Sequence, residues 1–470
     1  MANPIPRTGR SHGLDAPAEQ ARWKRLDLSL RLFNLRMLGP ASIGILVIAL
    51  AAAWAASRPA GPVSPSYTGQ FLAAEAVLLL SIALALVSTL RWVEPWFDGI
   101  DRAMVWHRRV AMSALILLVA HIAITTNPHP STAGPALAVT GMLGLVVLAV
   151  WAILPRWQSI APAKLHSLVL TVRRLPGVRW VSRLLGNYER WRVGHRFTGL
   201  FVASGFTHGL LDGTAFDVPL PRWSFVAVGG TGLAFYLYRE LLARFFVPLH
   251  DYQVATVQVL DGGYTEIGLR PLGRRLAFIP GQFAMLYLEA KDGWHRHPFT
   301  ISSAPEESTI RFAVKALGDD TSRARSVKPG MPAILGGAHG RFTYLRGTQY
   351  QAWIAGGIGI TPFLSWLRGA TNEQLPERVY LFYSGNGPAP WADEIHAIAA
   401  RHPCLHAYFI DTRADGRLTP ERVLTTAAID PRQLSVFMCG PKQMLDAFEV
   451  QLHRGGVRSL NIHREHYDWR

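Results

Sequence analysis

A chain of 470 residues is long enough for two or three domains, and its 48 Lys+Arg against 32 Asp+Glu leave it at +16 with histidine neutral. Such a balance suits nucleic acid, but 49% hydrophobic residues and a mean hydropathy of +0.15 point to a membrane protein with its positive charge in cytoplasmic loops. Cys404 and Cys439 are the only cysteines and form no Cys-x-x-Cys, which excludes zinc ribbons, iron–sulfur clusters and disulfide frameworks.

Residues 1–37 are polar and basic without an apolar core, so no cleavable signal peptide is expected. The run from Trp23 to Leu38 mixes Lys and Arg with Trp, Leu and Phe, which suits an amphipathic surface helix as well as a solvated basic tail. Six apolar stretches follow, at 39–56, 71–90, 104–125, 135–154, 195–211 and 223–241. Each is near the ~20 residues of a spanning helix, and together they predict a membrane α-helical bundle of six transmembrane helices over 38–245. Segments 57–70, 126–134 and 212–222 hold only Arg58 and Arg222, whereas 91–103 and 155–194 hold two and eight Lys or Arg. The positive-inside rule then puts both termini in the cytoplasm, and the third and fifth helices both run outward.

Those two helices carry the histidines. His107 and His121 are fourteen residues apart, about 21 Å along a helix, and His195 and His208 are thirteen apart, about 19.5 Å. On parallel helices this places His107 level with His195 and His121 level with His208. A single membrane histidine reads as a proton relay or a packed polar residue, but two level pairs favour two six-coordinate haems. Thirteen residues leave His208 about 140° round an ideal helix from His195, so a kink is expected near Gly199 or Gly205. Arg108, Arg109, Arg192 and Arg196 flank the inner pair, either as partners for haem propionates or as ordinary loop charge.

After Leu242 the pattern changes. VATVQVL, YTEIGLR, AMLYLEA and TIRFAVKAL read as strands and predict a small antiparallel β-barrel over 246–345. From 346 to 470 strands and helices alternate, as in an α/β Rossmann-like domain with a parallel sheet. Within the barrel, His297-Pro298-Phe299-Thr300-Ile301-Ser302-Ser303 can offer N–H groups and hydroxyls to a flavin, with Thr300 at the reactive ring nitrogen. GDDT, ending at Thr321, and GGAHGRF, from Gly336 to Phe342, are each a phosphate cradle or a plain turn. Gly356-Gly357-Ile358-Gly359-Ile360-Thr361-Pro362 follows a predicted strand and opens a helix, where glycines let the backbone approach a pyrophosphate. Cys439-Gly440-Pro441 closes the last predicted parallel strand, where ligands bind in such sheets; Cys439 is then either a nicotinamide contact or a small buried hydrophobe.

From about residue 39 to its end the chain resembles the NADPH oxidase and ferric reductase superfamily, through the histidine spacings, HPFTISS, GGIGITPF and CGP in this order. The resemblance implies that His107 and His195 ligate an inner haem b and His121 and His208 an outer one, with Phe201 between the haems. It implies FAD on the HPFTISS segment and NADPH, or NADH, on the glycine loop. It makes Thr300, Cys439 and the terminal Tyr467 the residues at the reacting atoms, with Trp469 a second candidate to cover the flavin. The implied activity carries electrons from cytosolic NAD(P)H through FAD and both haems to an acceptor outside the plasma (inner) membrane. That acceptor is dioxygen, yielding superoxide, or a ferric chelate. Thr125 stands where animal oxidases of the family have a further histidine. No nucleic acid is expected as a partner, no partner subunit is evident, and the rival from another class is a histidine proton channel or transporter with a nucleotide-binding regulatory domain.

Overall fold

The computed structural model of the chain describes residues 38–88, 90, 92–126, 131–153, 188–246, 248–290, 293–315, 327–371 and 375–465. The expectations for residues 1–37, Thr321, Tyr467 and Trp469 lie outside them. The chain divides into two units, a mainly helical one over Leu35–Asp98 and Arg102–Ala243 and a second that takes in Gly99–Asp101 and the chain from Arg244 onward.

The helical unit contains α1 (Leu38–Ala56), α2 (Pro65–Leu86), α3 (Ile100–Ile124), α4 (Gly134–Ile153), α5 (Tyr188–His195), α6 (Thr198–Asp212) and α7 (Pro219–Leu237). A π-helical turn, Tyr238–Leu242, continues α7 and leads to the short α8 (Ala243–Phe246). Local chemistry starts α2: Ser64 Oγ accepts from Tyr67 N at 3.1 Å, and Pro65 stands where a helix needs no N–H. Four helices are long and apolar enough to cross a bilayer, over Leu38–Ala56, Pro65–Leu86, Arg102–Ile124 and Gly134–Ala152. The fifth and sixth expected spans fall short of that measure. α6 has 15 residues, about 22 Å against a hydrocarbon core near 30 Å, and α7 carries Arg222 in its first turn.

α2 is buried along most of its length, whereas α1, α3 and α4 turn Ile45, Ile48, Ile116, Val119, Leu143 and Val147 outward. Apolar side chains outside and small residues between helices is the arrangement a lipid solvent favours. Gly232 lets α7 lie against Ser81 of α2, Gly229 meets the Phe206 ring of α6, and Gly144 of α4 meets the Phe201 ring. Trp54 fills one end of this packing, 6.0 Å from each of Tyr67, Phe71 and Phe216.

The second unit opens with six antiparallel strands: β1 (Leu249–Leu260), β2 (Tyr264–Pro271), β3 (Phe283–Ala290), β4 (Gly293–Thr300), β5 (Ile310–Lys315) and β6 (Pro332–His339). They pair in the order β4-β3-β6-β1-β2-β5. This is a half-barrel, not the barrel expected: β4 and β5 are the two sheet edges, and among the described residues a single bridge, Ile301 to Phe312, joins their ends. Ile267, Leu269, Leu286, Ile301, Ile310 and Phe312 fill its inside. Tyr252 is buried among them, its hydroxyl accepting from Leu276 N at 2.8 Å, and burial pushes the phenol up to about 12.

The remainder alternates β7 (Tyr350–Gly356), α9 (Thr361–Arg368), β8 (Arg378–Gly385), α10 (Ala392–Ala399), β9 (Leu405–Asp411), α11 (Pro420–Ala427), β10 (Leu434–Cys439), α12 (Lys442–Arg454) and β11 (Ile462–Glu465). The sheet is parallel, in the order β11-β10-β7-β8-β9, with apolar clusters on both faces. The order reverses between β7 and β10, so their carboxyl ends, Gly356 and Cys439, flank the crevice where such sheets bind ligands. β11 was not foreseen, being four residues long and polar at His463 and Arg464.

Candidate functional site

At that crevice the glycine loop and the CGP segment meet. β7 ends at Gly356, a 3₁₀ turn covers Gly357–Ile360, and Thr361 and Pro362 begin α9. Gly357 has φ +56, a conformation glycine adopts without penalty. A Cβ on Gly359 would run into the Cys439 carbonyl, and one on Gly356 would lie 2.9 Å from Pro441 Cδ and 3.4 Å from Gly440 Cα. Gly356, Gly357, Gly359, Cys439, Gly440 and Pro441 are therefore one backbone surface at the amino end of a helix, suited to an anion.

Two half-barrel residues face this loop. A Cβ on Gly357 would lie 3.6 Å from Tyr264 Oη and 3.9 Å from Lys315 Nζ. Lys315 donates to Tyr264 Oη at 3.1 Å, and the Tyr264 ring stands edge-on to Trp391 at 5.5 Å. A cation, a phenol and an indole thus converge where a dinucleotide phosphate and ring would lie. Sequence reasoning missed all three. Tyr264 and Lys315 are cross-strand partners on β2 and β5, and no motif joins residues so far apart.

The HPFTISS segment runs from half-buried positions on a strand to fully buried ones beyond it. His297, Pro298, Phe299 and Thr300 lie on β4, with Thr300 opposite Phe283 and only 4% exposed. Ile301 makes the bridge to β5, and Ser302 and Ser303 are fully buried. Ser302 Oγ donates to Glu266 Oε1 at 3.3 Å, and Ser303 Oγ accepts from Arg311 N at 3.1 Å. Both serine hydroxyls are thus engaged within the protein. Beneath them lies a buried ionic network that sequence reasoning also missed. Arg368, at the end of α9, donates to Glu266 Oε1 at 2.9 Å, to Ser302 O at 2.8 Å and to both Glu394 oxygens at 2.7 and 2.8 Å. Burial works against the Arg368 charge, but Glu394 and Glu266 outweigh it and hold its pKa above the usual value. Burial likewise pushes the Glu394 carboxyl up, and Arg368 outweighs that and holds it below the usual range.

Cys439 is fully buried, and its Sγ lies 4.0 Å from Glu465 Oε2 across the β10–β11 pairing.

In the helical unit, His107 and His121 lie on α3, His195 ends α5 and His208 lies on α6. The break between α5 and α6 falls at Arg196–Phe197, directly after His195, while the helix runs unbroken through Gly199 and Gly205. The expected kink is thus present at a different place. The His107 and His195 ring centres are 6.2 Å apart, their planes at 88°. Two imidazoles on one metal, at about 2.0–2.1 Å each, have centres roughly 6.3 Å apart. His107 Nδ1 lies 3.0 Å from Ala83 O and His121 Nδ1 2.9 Å from Gly69 O, both on α2. A carbonyl only accepts, so Nδ1 carries the proton and Nε2 keeps its lone pair for a metal. Thr125 Oγ1 lies 3.0 Å from the same His121 nitrogen, and His208 Nδ1 is 3.3 Å from Asp212 Oδ2. His195 stacks on Trp191 at 4.7 Å. Phe201 packs on α4 beside Gly141 and Gly144. Of the flanking arginines, Arg196 pairs with Glu240 at 2.7 Å through Nε, and Arg109 lies 4.9 Å over the Trp106 ring. The donor set and its spacing fit a bis-histidine haem at the inner level, and the backbone-oriented His121 is prepared in the same way at the other.

Residues 249–333 match the FAD-binding domain family, and residues 353–449 match the oxidoreductase NAD-binding domain family. Among curated proteins, a flavohemoprotein of Burkholderia sp. strain TH2 is 28% identical over 41% of this chain and 52% of its own length. An NADPH oxidoreductase of Mycobacterium tuberculosis is 28% identical over 39% of this chain and 51% of its own. Dual oxidase 2 of Rattus norvegicus is 26% identical over 57% of this chain and 18% of its own. The chain thus spans about half, or much less, of the length of these relatives. Among solved structures, the FAD/NAD-binding domain of nitric oxide dioxygenase from Vibrio cholerae gives a TM-score of 0.41 at 21% identity, over 46% of this chain and 97% of that one.

Proposed function

Because the chain belongs to the NADPH oxidase and ferric reductase superfamily and its second unit is an NAD(P)H- and FAD-binding reductase module, we propose that it is a membrane flavocytochrome b. In this reading it carries electrons from cytosolic NAD(P)H to dioxygen on the outer side of the plasma (inner) membrane and so makes superoxide. The observation that carries the reading is the His107–His195 pair, spaced for one metal and with the His107 Nδ1 held by a carbonyl.

When bound, FAD turns hydride transfer into single-electron transfer and two b-type haems carry those electrons across the membrane. The chain supplies placement. Gly356, Gly357 and Gly359 admit the pyrophosphate of NAD(P)H, with Lys315 beside them to balance its charge. Trp391 and Tyr264 wall the crevice, Thr300 and Cys439 would lie toward the reacting rings, and the resemblance would give Tyr467 or Trp469 the role of covering the flavin. Glu465 Oε2, 4.0 Å from the buried Cys439 Sγ, accepts from that thiol. His107 and His195 would hold the inner haem, His121 and His208 the outer one, and α2 carbonyls fix the tautomer of two of the four.

Ferric-chelate reduction is the second reading. It is favoured by Thr125, whose hydroxyl supports His121 at the position of the additional histidine in animal oxidases. The test is cytochrome c reduction by detergent-purified, FAD-supplied protein with NADPH or NADH, with and without superoxide dismutase, after its visible spectrum is recorded. The expected result is b-type haem bands and a rate that dismutase largely abolishes. A dismutase-insensitive rate, or one that needs a ferric chelate, establishes the second reading. A spectrum without haem bands overturns both and leaves the transporter reading.

A further inference from the structure

Glu75 lies in the middle of α2, among apolar side chains, and is only 4% exposed. Neither carboxylate oxygen has a hydrogen-bond partner among the described residues. α2 is also the helix whose carbonyls hold both histidines of α3, through Gly69 and Ala83. Glu75 is six residues from the first and eight from the second, so along the axis it stands about 9 Å from one level and about 12 Å from the other.

A carboxylate without a partner in such surroundings is strongly disfavoured, and burying an acid where an apolar residue would pack marks a function, not a packing need. Nearby helices supply no compensating ion pair. α1 has no ionisable side chain. α3 turns His107 and His121 to α2, α6 carries His208 and Asp212, and α7 with the turn before it carries Asp217, Arg222 and Tyr236. Among the described residues none of these forms an ion pair with Glu75. Its charge state therefore answers to whatever positive charge is held between the histidine levels.

On the haem reading proposed above, that charge changes by one unit with each electron. We propose that Glu75 is a redox-linked proton site: as one electron from NAD(P)H arrives between the histidine levels, one proton from the aqueous phase binds the carboxylate, forming one O–H bond. The proton is released when the electron moves on. At about 10 Å and an effective dielectric near 20, one unit of charge changes proton affinity roughly tenfold. The reduced protein binds the proton more tightly, so the haem potential is higher at low pH and falls as pH rises.

The test is spectroelectrochemical titration of the full-length, haem-loaded protein across pH 5 to 9, in wild type, E75Q and E75D. The expected result is a wild-type drop with pH that exceeds the E75Q drop by about 59 mV in total, the one-electron equivalent of a tenfold coupling, and that E75D retains. Haem bands with the same pH dependence in E75Q overturn this inference and leave the proposed function standing. Absence of haem bands in wild type overturns both. If E75Q does not accumulate, redox-induced infrared difference spectra decide: a protonated-carboxyl band that grows on reduction in wild type and shifts in E75D supports the site, and no such band overturns it.

Discussion

At the scale of single residues, the site depends as much on missing side chains as on present ones. Gly359 is tight against the Cys439 carbonyl because β7 and β10 are neighbours whose carboxyl ends share one crevice. Gly359→Ala must push the loop off the strand end. It is expected to cost about 1–3 kcal/mol of stability by overpacking and to raise the KM for NAD(P)H more than it lowers kcat. Denaturant unfolding with steady-state kinetics checks this, and an unchanged KM would show that the nucleotide lies elsewhere. Gly69 plays a similar part in the helical unit, where a Cβ would strike Thr125 Oγ1, the hydroxyl that shares His121 Nδ1 with the Gly69 carbonyl.

At the scale of elements, the main join within the second unit is α9. Its first turn carries the nucleotide loop, and its last residue, Arg368, reaches Glu266 on β2, Ser302 beyond β4 and Glu394 on α10. One guanidinium therefore ties the half-barrel to the parallel sheet. Arg368 and Glu266 side chains are 4% and 8% exposed, and without Arg368 the Glu266 carboxylate keeps, among the described residues, only Arg311 Nη1 at 3.4 Å and Ser302 Oγ at 3.3 Å. Arg368→Ala is therefore expected to destabilise the unit by less than the roughly 3–5 kcal/mol of a wholly unpaired buried charge. Glu394 is 35% exposed, so its pair with Arg368 contributes less. Its folded pKa lies below the usual value, so the stability it contributes is present above the usual carboxylate range and is lost as pH falls through the folded pKa. Urea midpoints between pH 3 and 7 should fall in wild type over that range and change less in Glu394→Gln. Equal slopes would dismiss the linkage.

At the scale of the whole molecule, the histidine pairs matter only if both levels are needed for transfer across the membrane. On the proposed haem reading, His121→Leu removes one outer ligand and changes no residue of the nucleotide module. Reconstituted into vesicles with NADPH outside, this variant should still reduce a soluble dye outside but lose reduction of a ferric or cytochrome c acceptor trapped inside. If the trapped acceptor is still reduced at the wild-type rate, the outer level is not on the path.

The amino-acid sequence alone determined what depends on local pattern. The apolar helices from Leu38 to Ile153, the alternating strands and helices after Gln351, the glycine loop and the CGP turn all follow from periodicity and from residues whose backbone needs are local. The histidine spacing was legible because helical rise converts residue count directly into depth. Tertiary structure decided the rest. The half-barrel edge, the short α6 and the break at Arg196–Phe197 depend on which strands and helices close on one another. Tyr264 with Lys315 and Cys439 with Glu465 are pairs made by strand register, and Glu266 with Arg368 is made by packing a helix on the sheet; their members are 26 to 102 residues apart. No local period encodes such a separation, and burial, which makes Glu75 and Arg368 informative, exists only once the chain has folded around them.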